Sequence, residues 1–333
     1  MLVFGAACLD YIAQVNHFPV PDEKLRTDSL TICGGGNAGN TSTCLNRLGV
    51  QVTLIAKIGK DLNGEKILDD LRQETNIDTS SILLQASMVL SPLTYIIVDR
   101  TTNTRTCLFS AANEQILVDE IQPDWLDGID FIHFDSRSTE AAVHLAKLAE
   151  SKSIRCSLDL ERSRPHLDQL IPRMNYIITT ESYLRDVGKE STFIGTAVRL
   201  LQTYSQSCQL IIVTRGRAGS VLVERANEHV HYDRQSTPCG SSVTREILRV
   251  HEKEFLIWTC TAWPIEPDEI IDTTGSGDAF IGAVIYGLLS DELWPRDKLL
   301  RFASFIAMCK LRGVGARSAL PHLRTIDMSL FAE

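Results

Sequence analysis

Short apolar runs rich in β-branched residues recur along most of this chain with helix-length amphipathic segments between them, and that alternation limits its folding choices most. A strand buried on both faces needs helices to cover it, so the pattern predicts a mainly parallel sheet in an α/β/α arrangement. Strands are expected over 2–8, 52–57, 131–134, 155–159, 176–179, 210–214 and 220–223, and helices over 41–48, 64–74, 139–151, 192–205, 279–289 and 295–312. Two stretches, 11–33 and 90–110, instead read as strands separated by turns, with 99–104 as a hairpin connection; they predict a small separate sheet. A third, 224–267, is long and mixed but contains the apolar run 255–259, and reads as an insertion or elaborated edge with a mobile loop near Gly240. The chain shows no internal repeat.

A length of 333 residues allows one large α/β unit with a small appendage. The net charge of −9, with no basic stripe, argues against a nucleic-acid partner, because phosphate neutralisation needs clustered positive charge. No apolar run approaches the ~18 residues a membrane span requires, and the N-terminal stretch lacks the basic start of a secretory leader. A soluble protein without a membrane partner is therefore expected. Nine cysteines, an odd number with no Cys-x-x-Cys pair, point to a reduced, cytoplasmic compartment. The histidines show no metal-ligand spacing, and His133, within an apolar strand, reads as a hydrogen-bonded core residue.

The segment most informative about chemistry is Asp272-Thr273-Thr274-Gly275-Ser276-Gly277-Asp278-Ala279-Phe280, followed at once by an apolar helix. A small-residue loop opening a helix leaves unpaired N–H groups at the positive end of the helix dipole, which makes an anion hole. Gly275, Ser276 and Gly277 let a phosphoryl group approach the backbone, and Asp278 at the helix start can accept a proton from an attacking hydroxyl. Taken alone, a Gly-x-Gly-Asp reads first as a tight turn with Asp278 as a helix N-cap; the longer string is more specific. The string is neither a Walker A loop, lacking Gly-Lys-Ser/Thr, nor a dinucleotide fingerprint, which removes the support for an oxidoreductase.

This string resembles the C-terminal signature of the ribokinase-like (PfkB) carbohydrate kinases. A second landmark agrees. Gly34-Gly35-Gly36-Asn37-Ala38-Gly39-Asn40-Thr41-Ser42, then Arg47-Leu48-Gly49 and Lys57-Ile58-Gly59-Lys60-Asp61, is similar to the family's N-terminal signature. The Gly-Gly-Asn-Ala-x-Asn form, with Phe131-Ile132-His133-Phe134 before Asp135-Ser136-Arg137, is closest to the ketohexokinase branch. The resemblance runs from about 2 to 325, excluding 224–267. It implies a single doubly wound α/β/α domain (1–333) with a β lid from about 10–33 and 91–113.

The activity implied is ATP-dependent phosphorylation of a hydroxyl on a small sugar or sugar-like molecule, of ketohexose or ribose type, with Mg²⁺ as cofactor. Asp278 would be the base, Gly275, Ser276 and Gly277 the anion hole, and Arg105 a lid arginine reaching the transferred phosphate. Asp10, Gly36, Asn37 and Asn40, with Asp278, would hold the acceptor's hydroxyls; unaided, Asn40 also reads as a helix cap and Asp10 as a turn residue. Thr214, Gly216, Gly219, Thr274, Gly275, Gly277 and Gly315 would surround the nucleotide, and Asp272 and Thr274, with carbonyls of the 313–321 loop, a monovalent cation such as K⁺. Exposed lid strands would need covering, so a homodimer through the lids is expected.

One departure stands out. Relatives carry an Asn-x-x-Glu pair that organises the waters of Mg²⁺, whereas this chain has Thr179-Thr180-Glu181-Ser182, leaving Glu181 or the phosphates themselves to hold the metal. The acceptor could instead be a nucleoside, which an aromatic or apolar wall in the lid facing the ligand would favour. Outside catalysis, a metabolite sensor that kept the fold is the other reading; an intact Asp278 string argues against it.

Overall fold

The structure is a computed structural model describing residues 1–27, 29–74, 76–85, 90–102, 104–110, 115–204, 206–226, 240–290 and 294–331. The chain begins with β1 (Leu2–Phe4), passes into β2 (Cys8–Val15) and β3 (Ser29–Gly35), and enters α1 (Asn37–Arg47). Then come β4 (Val52–Ile55), β5 (Lys57–Gly59), α2 (Leu62–Arg72), β6 (Ile77–Asp78), β7 (Leu83–Gln85) and the hairpin of β8 (Leu93–Asp99) and β9 (Thr104–Ser110). Regular βα alternation follows through β10 (Phe131–Phe134), α3 (Thr139–Ser151), β11 (Arg155–Leu160), α4 (Leu167–Leu170), β12 (Tyr176–Thr180), α5 (Glu181–Val187), α6 (Phe193–Thr203) and β13 (Leu210–Thr214). Three antiparallel strands, β14 (Ser220–Arg225), β15 (Val243–Val250) and β16 (Lys253–Cys260), precede α7 (Ser276–Leu289) and α8 (Arg296–Lys310).

Ten strands make one sheet in the order β15-β16-β14-β13-β12-β11-β10-β1-β4-β6, parallel from β13 through β6. Period-two geometry splits the strands between two cores. Val3, Ile178 and Ile212 face the core made with α1, α7 and α8; Phe4, Ile177 and Ile211 face the one made with α3, α4 and α6. Both faces are dry, which is why these strands read as continuous apolar runs. From β1 the chain winds to β4 on one side and returns through β10 on the other, so the strand order reverses between β1 and β10. A ligand crevice is expected at the carboxyl ends of strands at such a switch.

A second sheet, β3-β2-β8-β9, stands apart from the first. Register places Leu30, Ile32, Tyr95 and Leu108 on its outer face, all exposed, while Ile12, Ile96 and Val98 pack inward with Cys33 and Val314. The stretch around 224–267 is a hairpin, β15 and β16, laid antiparallel along the edge after β14. The mobile loop expected near Gly240 falls on 227–239, which lie outside the described residues.

Local differences from the sequence reading have physical causes. The strand expected over 2–8 is two: β1 ends at Phe4, and the chain turns out of the main sheet where the Ala6 amide donates to Asp135 Oδ2 at 2.6 Å. The 52–57 run likewise divides at Ala56 so that β5 can pair with β7. Helix α1 begins at Asn37 rather than Thr41, with Gly36 (φ 86°) at its N-cap, so Asn40 lies within the first turn and does not cap it. His133 is the core residue expected, bonded to Ser157 at 2.9 Å, and burial pulls its imidazole down to about 3.

Candidate active site

Helix α7 opens at Gly275, whose φ of 75° lies in the left-handed region and whose added Cβ would stand 2.5 Å from the Ala316 side chain. Only glycine fits there. The preceding turn is set by Asp272: Oδ1 accepts from the Thr274 amide (2.8 Å) and hydroxyl (2.7 Å), and Oδ2 from the Gly315 amide (2.8 Å). Desolvation raises this buried carboxyl, but the charge of Lys310 and, after it, these bonds hold it below its ordinary range. The amides of Gly277 and Asp278 have no acceptor among the described residues, and a Cβ at Gly277 would meet nothing within 4 Å. The result is an open, preorganised anion hole with space in front of it.

Asp278 sits half-buried in the first turn of α7. Its Oδ2 accepts from Asn40 Nδ2 at 2.7 Å, and Asn40 Oδ1 in turn accepts from Arg317 Nε at 3.0 Å. The remaining Arg317 nitrogens bind the Gly35 carbonyl (2.9 Å) and Asp70. Both ends of the Asn40 amide are thus used, which fixes its orientation and aims Asp278. Loss of hydration pushes the Asp278 carboxyl up to about 7, with the Asn40 bond opposing and the carboxylates of Glu161, Asp135 and Asp10 adding to the rise. A carboxylate titrating near neutrality suits a proton acceptor.

Around it lie the polar groups of the crevice. Gly36 must be glycine because a Cβ would stand 2.4 Å from the Ala6 carbonyl oxygen. Asn37 Nδ2 donates to Asp159 Oδ2 at 3.1 Å, leaving its own carbonyl oxygen for a ligand. Asp10, buried on the inner face of the second sheet beside Gly35, is pushed up by desolvation, while bonds from Thr94 and Cys8 oppose that. Asp135, buried at the end of β10, is likewise raised by desolvation.

Arg105 of β9 reaches across to the Thr273 hydroxyl, at the edge of the anion hole. Thr214 ends β13 with its hydroxyl on the Thr179 carbonyl (3.2 Å), and the turn after it uses Gly216 (φ 54°) and Gly219 (φ 85°). A Cβ at Gly219 would stand 2.0 Å from the Cys260 carbonyl. Gly315 (φ 75°) packs on Cys33 of β3. Glu181 is engaged: Arg215 Nε donates to it at 2.7 Å and Arg185 also bonds it, and those arginines hold its carboxyl low. A residue so bound does not fit the free ligand expected of a metal organiser. No cluster of three or more His, Cys, Asp or Glu side chains spaced for a metal occurs among the described residues.

The fold therefore gathers Asp10, Gly36, Asn37, Asn40, Asp278, Arg105 and the Gly275–Gly277 loop, with Thr274 and Gly315 behind it. Sequence reasoning missed Asp159, Arg317 and Lys310. Asp159, at the end of a strand, and Lys310, a lysine closing an apolar helix, carried a visible signal; Arg317 had none apart from lying in the 313–321 loop. Lys310 is fully buried, and its ammonium donates to the Asp272 carbonyl (2.7 Å) and the Gly313 carbonyl (3.2 Å). Burial draws it down to about 8. The ammonium takes the Gly313 carbonyl, one of the loop oxygens that the resemblance gives to K⁺, and the Asp272 carboxylate already has three donors, so the residues present fit that ion poorly.

The sequence model of the pfkB family of carbohydrate kinases matches residues 1–242 and 259–323. The chain belongs to this family. The pfkB match breaks over 243–258, which is β15 and the start of β16. Among curated relatives, ribokinase of Mus musculus is 21% identical over 99% of this chain and 94% of its own length. Ketohexokinase of the same species is 24% identical over 94% and 97%. A solved ribokinase of Arabidopsis thaliana, complexed with ribose and ATP, superposes with a TM-score of 0.75 at 14% identity, covering 100% of this chain and 98% of its own. This pfkB protein is thus a kinase with the ribokinase-like fold. Among the described residues no helix is long and apolar enough to cross a membrane.

Proposed function

We propose that this kinase transfers the γ-phosphoryl group of ATP to a hydroxyl of a small, uncharged, polyhydroxylated acceptor of the ketohexose or ribose kind. The observation that carries the reading is the Asp278 carboxylate, raised to about 7, standing beside two unpaired amides at the start of α7. Asp278 takes the proton of the attacking hydroxyl; the amides of Gly275 and Gly277 and the Arg105 guanidinium receive the charge on the phosphoryl oxygens, while the Ser276 amide, which donates to the Thr273 carbonyl at 3.3 Å, holds the loop in shape. Asp10, the free oxygen of Asn37 and the Gly36 backbone orient the acceptor, and Asn40 positions Asp278. The turn from Thr214 to Gly219, with Thr274 and Gly315, surrounds the nucleotide. Magnesium bound with ATP supplies neutralisation of the phosphates. The carboxylates of Asp10, Asp135, Asp159 and Asp278 make an acidic crevice, which supports a neutral acceptor over an anionic one.

A nucleoside acceptor is the second reading, and Phe109 favours it. The ring lies in register with Thr94 and Asp10 on the inner face of the second sheet, where a base could pack, although Arg137 already stacks on it at 4.6 Å. A non-catalytic sensor has less support, since it would not need a base tuned to neutrality. The eight described cysteines are free, in keeping with a cytoplasmic location. The exposed Leu30, Ile32, Tyr95 and Leu108 form one apolar face on an open sheet, which supports a homodimer through the lids. A monomer by light scattering at micromolar concentration would refute that pairing.

The test is ADP release with Mg-ATP against fructose, ribose, other ketoses, inositols and nucleosides. Turnover with a free sugar confirms the first reading, and turnover with nucleosides alone the second. Silence across the panel with ATP still bound supports a sensor.

A further inference from the structure

Among the described residues, Lys310 is a fully buried charge that the proposed chemistry leaves unused. It closes α8, and its ammonium bridges two carbonyls from segments far apart in sequence, Asp272 before the anion hole and Gly313 after α8. The same two segments are tied a second time, from the Gly315 amide to Asp272 Oδ2. Among the described residues the ammonium makes no direct ion pair with a carboxylate, so what holds it is carbonyl dipoles and the nearby charge of Asp272. A buried ammonium is costly unless several acceptors converge on it. Here they converge in the manner of a cation-binding loop, with the cation covalently attached.

We propose that Lys310 is a tethered cation that holds the anion-hole loop and the 313–317 loop together, so that this kinase needs no monovalent metal ion. The inference rests on the reading of the α7 start as the phosphoryl site. A free K⁺ ion held by the 313–321 carbonyls would compete with the ammonium for the Gly313 oxygen, and the Asp272 carboxylate has three donors of its own. The consequence extends to the base. The loop that Lys310 pins also carries Ala316, which packs against Gly275, and Arg317, which orients Asn40 and through it Asp278. Lys310 is therefore a positioning residue: it touches no substrate and acts through the loops it joins.

The experiment compares KCl with tetramethylammonium chloride at equal ionic strength, for the natural chain and for Lys310→Ala, reading thermal melting first and ATP-dependent turnover second. The natural chain should melt at the same temperature in both salts, because an ion that bound only the folded state would raise it. Lys310→Ala should melt lower in tetramethylammonium, recover in KCl or NH₄Cl, and lose turnover about ten-fold or more with recovery in the same salts. A purely structural lysine would give a variant indifferent to the choice of cation. A K⁺-specific rise in melting temperature of the natural chain overturns the proposal, and needs neither an active preparation nor a variant that folds. Absence of turnover in every salt would refute the kinase reading of the site while leaving the melting result to decide the role of Lys310.

Discussion

Asp278→Asn should separate the two consequences of placing a carboxylate where water is scarce. The side chain keeps its shape, and the Asn40 amide still finds an oxygen to donate to, so the network through Arg317 survives. Proton acceptance is lost, and turnover should fall by about 10²–10⁴-fold with little change in KM, because the interaction is made in the transition state. Stability should move the other way. A carboxyl that titrates near 3.8 unfolded and about 7 folded contributes most to stability when protonated, below about pH 4, and that contribution is lost as pH rises through 7. At 1.36 kcal/mol per pH unit the ceiling is about 4 kcal/mol, and partial hydration of the side chain reduces it to about 1–2 kcal/mol. The amide variant is neutral throughout. It should therefore melt with the natural chain at pH 4 and above it at pH 8, the difference opening between those values. The natural enzyme's kcat/KM should rise with pH through a midpoint near 7. A variant that keeps a tenth or more of its turnover, or a melting difference that does not change between pH 4 and pH 8, would refute the assignment.

Three further substitutions test the rest of the site. Gly277→Ala should leave melting unchanged or slightly raised, since its Cβ enters open space at a helix start, yet cut turnover at least about ten-fold by obstructing the anion hole. Gly275→Ala should instead lower the melting temperature, because the left-handed φ and the contact with Ala316 are both violated. Arg317→Lys should reduce turnover almost as far as Arg317→Ala, as one ammonium cannot reach Asn40, Gly35 and Asp70 together; near-complete activity of the lysine variant, measured as kcat, would show that Asn40 needs no such support.

The main sheet was legible because both of its faces are covered, which writes every parallel strand as an apolar run. The start of α7 was legible because small residues, an acid and an apolar helix occur together only for a few reasons. Other features were hidden for physical reasons. The turn from β1 into β2 depends on Asp135, which lies 129 positions from the amide it binds. Asn40 looked like a helix cap because capping is decided by the backbone angle of the residue before the helix, here Gly36, and no side-chain pattern announces that. Glu181 seemed free to organise a metal until Arg215 and Arg185 were found upon it. Arg317 was invisible because its partners Asn40 and Gly35 come from the opposite end of the chain.

That separation has a consequence for the life of the protein. Asp278 is aimed by a bond spanning 238 positions, and the residue that fixes its aim is held by one spanning 277. A chain emerging from the ribosome can complete its central sheet before Arg317 is present to fix Asn40 and aim Asp278. A molecule in which the 313–317 loop has not docked would keep its central sheet but lack the bond through Arg317 and Asn40 that orients Asp278.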